Sequence, residues 1–185
     1  MPNWKNIVGL SFNHEEFDIY CHSLNWTTWK PAFIVLHHTA NPDLQMRPDG
    51  FTSQHMQNLT HHYRDELNWS AGPHLFIDDH KIWVFTPLTT SGIHADSFNQ
   101  NSIGVEMLGD YNSDNFSEGR GLAVRKNTIA ALASLHNILD IDIASLKFHK
   151  DEPNTQKNCP GKNVIKGEII AEVEDLIIKR RGGEK

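Results

Sequence analysis

The chain opens without a sustained hydrophobic period. Trp4, Phe12, Phe17, Trp26 and Trp29 are scattered among polar residues, which predicts an extended segment over residues 1–30 lying against a domain. The pattern changes after Pro31. Ala32-Phe33-Ile34-Val35-Leu36 is an unbroken apolar run, the mark of a central strand buried on both faces, and it delivers His37 and His38 at its C-terminal end. Over residues 52–67, Met56, Leu59, Tyr63 and Leu67 recur at spacings of three and four, predicting an amphipathic helix that "NWSAGP" breaks. "HLFID" and "KIWVF", separated by Asp79-His80, predict a hairpin. A third strand over residues 102–108 alternates so that Glu106 faces away from Val105 and Met107.

Beyond a polar, glycine-bearing loop, "GDYNSDNFSEGRG", Ile129, Leu132, Leu135, Ile138 and Leu139 predict a second helix. Residues 146–149 read as a short edge segment. A last helix is expected to start near Asn163 as N-cap and to bury Ile165, Ile169, Val173, Leu176 and Ile177. The tail is expected to fray, with residues 182–185 outside the folded domain. Together these elements predict an α/β fold, a single domain over residues 31–181 with a mixed central β-sheet flanked by about three α-helices and carrying the extended N-terminal segment.

Length and composition agree with one globular unit: 185 residues, 38% hydrophobic and 22% charged, with no internal repeat or linker. A formal charge of -6 argues against a nucleic-acid surface, which needs a basic face. The N-terminus lacks a basic start followed by an apolar run, and no stretch approaches the roughly 18 apolar residues of a membrane span. The expectation is therefore a monomer made in the cytoplasm without a signal peptide and without membrane insertion.

The chemistry concentrates late in the chain, in "KFHKDEPNTQKNCPGKN". Cys159 is one of two cysteines, with Cys21, and as a lone residue it could be half of a disulfide, a nucleophile, a metal ligand or a buried thiol. Zinc prefers imidazole nitrogen and thiolate sulfur, and a catalytic zinc keeps three protein ligands and one open position. His37, His149 and Cys159 could supply that set, but spacing alone does not choose among the four readings.

The blocks "FIVLHHTAN", "AGPHLFIDDHKIWVF", "GIHADSFNQNSIGVEMLGDY" and "FHKDEPNTQKNCPGK" resemble, in order, those of the zinc-dependent N-acetylmuramoyl-L-alanine amidases, a family that includes phage endolysins, muropeptide-recycling amidases and animal peptidoglycan recognition proteins. The resemblance runs from about residue 31 to residue 165. It implies Zn²⁺ held by His37, His149 and Cys159, Glu106 as general base, Lys157 as the cation facing the oxyanion, and His94 at the edge of the substrate groove. It implies peptidoglycan or a muropeptide as substrate, cleaved between N-acetylmuramic acid and L-alanine, with release to the cell wall if the protein is a lysin. His38 fits a neighbouring position that varies in the family and is expected to be packed or hydrogen-bonded, while Cys21 is expected to be a buried free thiol. Pro73 stands where endolysins and catalytic recognition proteins carry a tyrosine, which shifts weight onto Glu106. Two alternatives remain beside this reading: a non-catalytic peptidoglycan-binding module of the same fold, and a Cys-His hydrolase with Cys159 as nucleophile.

Overall fold

The structure is a computed structural model and describes residues 3–182. Its elements are β1 (Leu10–Phe12), α1 (His14–Ser23), β2 (Phe33–His38), α2 (Ser53–His61), β3 (Leu75–Ile77), β4 (Ile82–Val84), β5 (Ser102–Met107), α3 (Gly119–Leu139), β6 (Lys147–Phe148) and α4 (Lys166–Gly182). The strands form one mixed sheet in the order β1-β4-β3-β5-β2-β6. Strands β3, β5, β2 and β6 run parallel, and β4 is antiparallel to both its neighbours.

Both faces of the sheet are covered, which is why β2 and β5 read as nearly continuous apolar runs. On one face Ile34, Leu36, Val105, Met107, Leu75 and Ile77 pack with Phe17 of α1, Leu132 and Leu135 of α3, and Ile169 and Val173 of α4. On the other, Phe76, Trp83 and Phe85 pack with Phe51 and with Met56 of α2. This second layer stops short of the C-terminal ends of β2 and β5. The gap is where His37 and Glu106 emerge. No helix among the described residues is long and apolar enough to cross a membrane.

The N-terminal segment is not extended throughout. Strand β1 adds to the sheet edge, pairing Leu10 with Val84, and α1 packs on α3. The helix is set by a capping box in which Asn13 accepts from the Glu16 N–H while Glu16 accepts from the Asn13 N–H. Phe17 and Cys21, one turn apart, are fully buried. The apolar stripe of Phe17, Tyr20, Cys21 and Leu24 has helical spacing, but two of its members are a tyrosine and a cysteine, so the period is faint in the sequence.

The helix expected over residues 52–67 is α2 followed by a π-helical turn, His62–Glu66. The "GRG" of the polar loop belongs to the first turn of α3. The last helix starts at Lys166 rather than near Asn163, because the Asn163 side chain donates to the Asp114 carbonyl (2.8 Å) and its N–H to that of Tyr111 (2.9 Å). Asn163 thus ties down the preceding loop, and Ile165 is 50% exposed instead of buried. At the other end α4 continues through Gly182, with Arg180 bonded to Ser134 (3.0 Å) and 3.3 Å from Asp18. Gly182 is therefore helical, and the fraying expected of residues 183–185 falls outside the described residues. The mixed sheet with flanking helices is as expected, with four α-helices among those residues, the additional one being α1.

Candidate active site

Three parallel strands bring the first groups together. The register pairs His37 of β2 with Glu106 of β5, and Leu36 with Phe148 of β6, so His149 emerges beside His37. His37 Nδ1 lies 3.0 Å from His149 Nδ1 and 3.7 Å from Glu106 Oε1. Cys159 arrives from the loop after β6, which closes when the Lys150 N–H donates to the Cys159 carbonyl (2.9 Å). Gly161 makes that close approach possible. It sits at φ +101°, and a side-chain carbon there would lie 2.4 Å from the Tyr111 backbone. Donor atoms of His37, His149 and Cys159 lie within 4.8 Å of one another.

The orientation of His37 follows from a count of hydrogen-bond donors. The Ser102 hydroxyl donates its one proton to the Phe98 carbonyl (2.6 Å), so at 3.2 Å it accepts from His94 Nε2–H. His94 Nδ1 is then an acceptor, and His37 Nε2–H donates to it at 3.0 Å. That leaves His37 Nδ1 as a bare lone pair facing His149. Two imidazole nitrogens on one tetrahedral zinc, at metal distances of about 2.0–2.1 Å, stand about 3.3 Å apart, close to the 3.0 Å seen here. Two nitrogens and a sulfur so arranged fit a zinc-type cation.

His94 lines the same groove as His37. It is 8% exposed, and protein atoms occupy both ring nitrogens, so neither is left for a substrate. Gly104 makes room for its ring; a side-chain carbon at that position would lie 2.3 Å from His94 Cγ. The "IGVEM" block thus supplies both a carboxylate and, two residues before it on the same strand face, the space that seats His94. Sequence reasoning missed that use of the glycine and the serine, since the contacts join residues brought together only by the fold.

Burial sets the protonation states. It holds His37 well below its usual range, helped by His94, His149 and Lys157, so the imidazole stays neutral as a metal ligand requires. His149 is also lowered, first by burial and then by Lys157. The Glu106 carboxyl is pushed up to about 8 by burial, against the opposing pull of Lys157. Burial and the nearby Glu106 push the Cys159 thiol up to about 12, while Sγ accepts from the His38 N–H (3.3 Å). A thiolate here needs a cation beside it. Cys21 is fully buried and free, and burial raises its thiol further still.

His37, His149, Cys159 and Glu106 line a groove of about 700 Å³ together with Lys157, which is exposed, and Tyr63. Tyr63 comes from the π-helical turn, stacks on Trp69 at 5.2 Å, and feels the Glu106 charge. Pro73 also lines the groove. His38 turns away from His37, and its Nδ1 accepts from the Tyr111 N–H (3.0 Å).

The buried titratable groups make zinc-free stability depend on pH in two directions. Burial lowers His74 from 6.5 to about 4 and His94 from 6.5 to about 3, so the native state binds fewer protons than the unfolded chain in that range. Their contribution is complete above pH 6.5 and is lost as pH falls toward 4 and 3. Glu106 works oppositely, raised from 4.5 to about 8; its native state keeps a proton the unfolded chain has released, and stability is lost as pH rises from 4.5 to 8. Urea unfolding of zinc-free protein should therefore fall off on both sides of neutrality, with Glu106→Gln removing the decline between pH 6.5 and 8. A decline unchanged by that substitution would contradict the assignment.

Residues 27–162 match the family described as N-acetylmuramoyl-L-alanine amidase. The chain belongs to this family. It is 26% identical over 135 residues to peptidoglycan-recognition protein SC2 of Drosophila melanogaster, covering 72% of this chain and 70% of that protein. Among solved structures, an endolysin N-acetylmuramoyl-L-alanine amidase from Clostridium intestinale superposes with a TM-score of 0.63 at 26% identity, covering 82% of this chain and 92% of that one. A Drosophila peptidoglycan-recognition protein LB mutant, in complex with tracheal cytotoxin, shares the fold at 23% identity, with a TM-score of 0.57 over 80% of this chain and 84% of that one. As a member of the amidase family, the chain carries the family's blocks on the strands and loops that surround the groove.

Proposed function

We propose that this chain is a zinc-dependent amidase that hydrolyses the amide between the lactyl group of N-acetylmuramic acid and L-alanine, in peptidoglycan or muropeptides. The observation that carries the reading is the convergence of His37, His149 and Cys159 within 4.8 Å, with Glu106 3.7 Å from His37, at one groove. Zinc, when bound there, supplies a Lewis acid for the carbonyl and favours ionisation of water. His37, His149 and Cys159 would hold it. His94, bonded to His37 and to Ser102, keeps the His37 Nδ1 lone pair directed at the metal position.

Glu106 takes a proton from the attacking water as the water oxygen bonds to the carbonyl carbon. It returns that proton to the amine as the C–N bond breaks. A carboxyl lifted by burial and drawn down again by nearby positive charge is suited to both transfers near neutral pH. Lys157 places its ammonium where the carbonyl oxygen becomes negative. The thiol-nucleophile alternative is disfavoured by a Cys159 thiol pushed up to about 12. The non-catalytic alternative does not account for a ligand set, a base and a cation in one groove.

The test is mass-spectrometric detection of free muramoyl sugar and of peptide beginning with L-alanine after incubation with a soluble muropeptide. Lys157→Ala should lower turnover about 10²–10³-fold, the cost of removing one oxyanion partner, with zinc content unchanged. Full activity in that variant would contradict the role given to Lys157, and no cleavage by the wild type would overturn the reading.

A further inference from the structure

Lys157 faces the groove from an exposed loop, and an exposed loop does not by itself hold an ammonium in place. Residues 150–158 join His149 to Cys159, and only one of them is buried. That residue is Glu152, 4% exposed, a carboxylate where a loop anchor is ordinarily apolar.

The Glu152 carboxylate is satisfied on both oxygens. Oε1 accepts from the Ser97 hydroxyl at 2.6 Å, the distance of a charge-assisted bond, and from Asn154 Nδ2 at 3.4 Å, while Oε2 accepts from the Asn154 N–H at 2.8 Å. The Ser97 hydroxyl first, and the Asn154 groups after it, hold the carboxyl below its usual range in spite of burial, so it is an anion at neutral pH. The backbone of Glu152 is used as well. Its N–H donates to the His149 carbonyl (3.0 Å), and its carbonyl accepts from the Thr155 N–H (3.2 Å). Thr155 Oγ1 in turn accepts from the Lys157 N–H (3.3 Å). A chain of bonds thus runs from His149 through Glu152 and Thr155 to Lys157.

Ser97 belongs to the short turn Asp96–Phe98, which is itself fastened. The Phe98 carbonyl accepts from Ser102 Oγ (2.6 Å), and Asn99 Oδ1 accepts from the His94 and Ala95 N–H groups at 2.8 Å each. This is the frame that seats His94 against His37. The Ser97–Glu152 bond therefore joins the part of the fold that aims a metal ligand to the loop that carries the cation. We infer that Glu152 is a positioning residue that, through Ser97, holds residues 153–158 and with them the Lys157 ammonium in place relative to the two ligand histidines. The inference rests on the amidase reading for what Lys157 does there, and adds to it the residue that keeps the ammonium facing the reaction.

The experiment combines kinetics with amide hydrogen exchange on zinc-loaded protein. Ser97→Ala removes one hydroxyl from an exposed residue, and Glu152→Gln keeps the side chain's shape while replacing one accepting oxygen by an NH2 group, so both variants should fold. Each should lower kcat on the soluble muropeptide about tenfold or more, as a displaced catalytic group does, with zinc content unchanged. In the Lys157→Ala background the same substitutions should change kcat by less than about twofold, because the group they place is gone. The Thr155 and Lys157 amides should exchange about tenfold faster or more in both variants, while the amides of β2 and β5 exchange as in the wild type. Losses that multiply with that of Lys157→Ala, unchanged exchange at Thr155 and Lys157, or faster exchange throughout the sheet would each overturn the inference. Failure of the amidase reading shows separately, as absent hydrolysis by the wild type, and the exchange comparison then still decides whether Glu152 holds the loop.

Discussion

Replacing Glu106 by Gln should lower amide hydrolysis about 10²–10⁴-fold, the range for loss of a positioned general base, with the fold retained. Glutamine keeps the shape of the side chain and its place in the register opposite His37, so the groove should be preserved. What it removes is a site for the proton on the carboxyl that burial lifts to about 8. The wild-type rate should rise with pH through an acidic limb belonging to Glu106, displaced below 8 by bound zinc because positive charge favours the carboxylate. That limb should vanish in Glu106→Gln. A variant with full activity and an unchanged pH profile would remove Glu106 from the chemistry.

Cys159→Ala and His149→Ala should each abolish zinc retention, and activity with it. Losing either leaves two of the three donors within 4.8 Å, one short of the three protein ligands a catalytic zinc keeps. His94→Ala should behave differently. It leaves all three donors in place but removes the acceptor that His37 Nε2–H uses at 3.0 Å, so zinc affinity should fall about 10–100-fold while saturating zinc restores turnover. Zinc measured by plasma mass spectrometry after gel filtration, with competition against a chromophoric chelator, separates these outcomes. Unchanged zinc content in Cys159→Ala would dismantle the ligand set.

Much of this site was legible in the sequence because its residues sit at the ends of strongly patterned strands. The apolar run before His37 and the alternation around Glu106 fix both the strands and the direction of the side chains, and the structure pairs the two residues in register. The edge segment before His149 was legible for the same reason. Other parts depend on contacts that no local pattern encodes. Helix α1 buries Phe17 and Cys21 on a stripe completed by a tyrosine, too weak a period to stand out among the scattered aromatics of the first thirty residues. Asn163 has the chemistry of an N-cap but spends its side chain on the Asp114 carbonyl, 49 residues away. His94 lines the groove, but its support of His37 depends on the Gly104 gap and the Ser102 hydroxyl, which no local pattern encodes.

The most direct measurement is zinc titration into chelator-stripped protein while cleavage of the muramoyl–L-alanine amide is followed by mass spectrometry. Activity should be absent without metal and should rise in proportion to zinc until one equivalent is bound. Zinc-free protein that cleaves the amide at the full rate, or zinc-saturated protein that does not cleave it, would contradict the assignment of His37, His149 and Cys159 to a catalytic zinc.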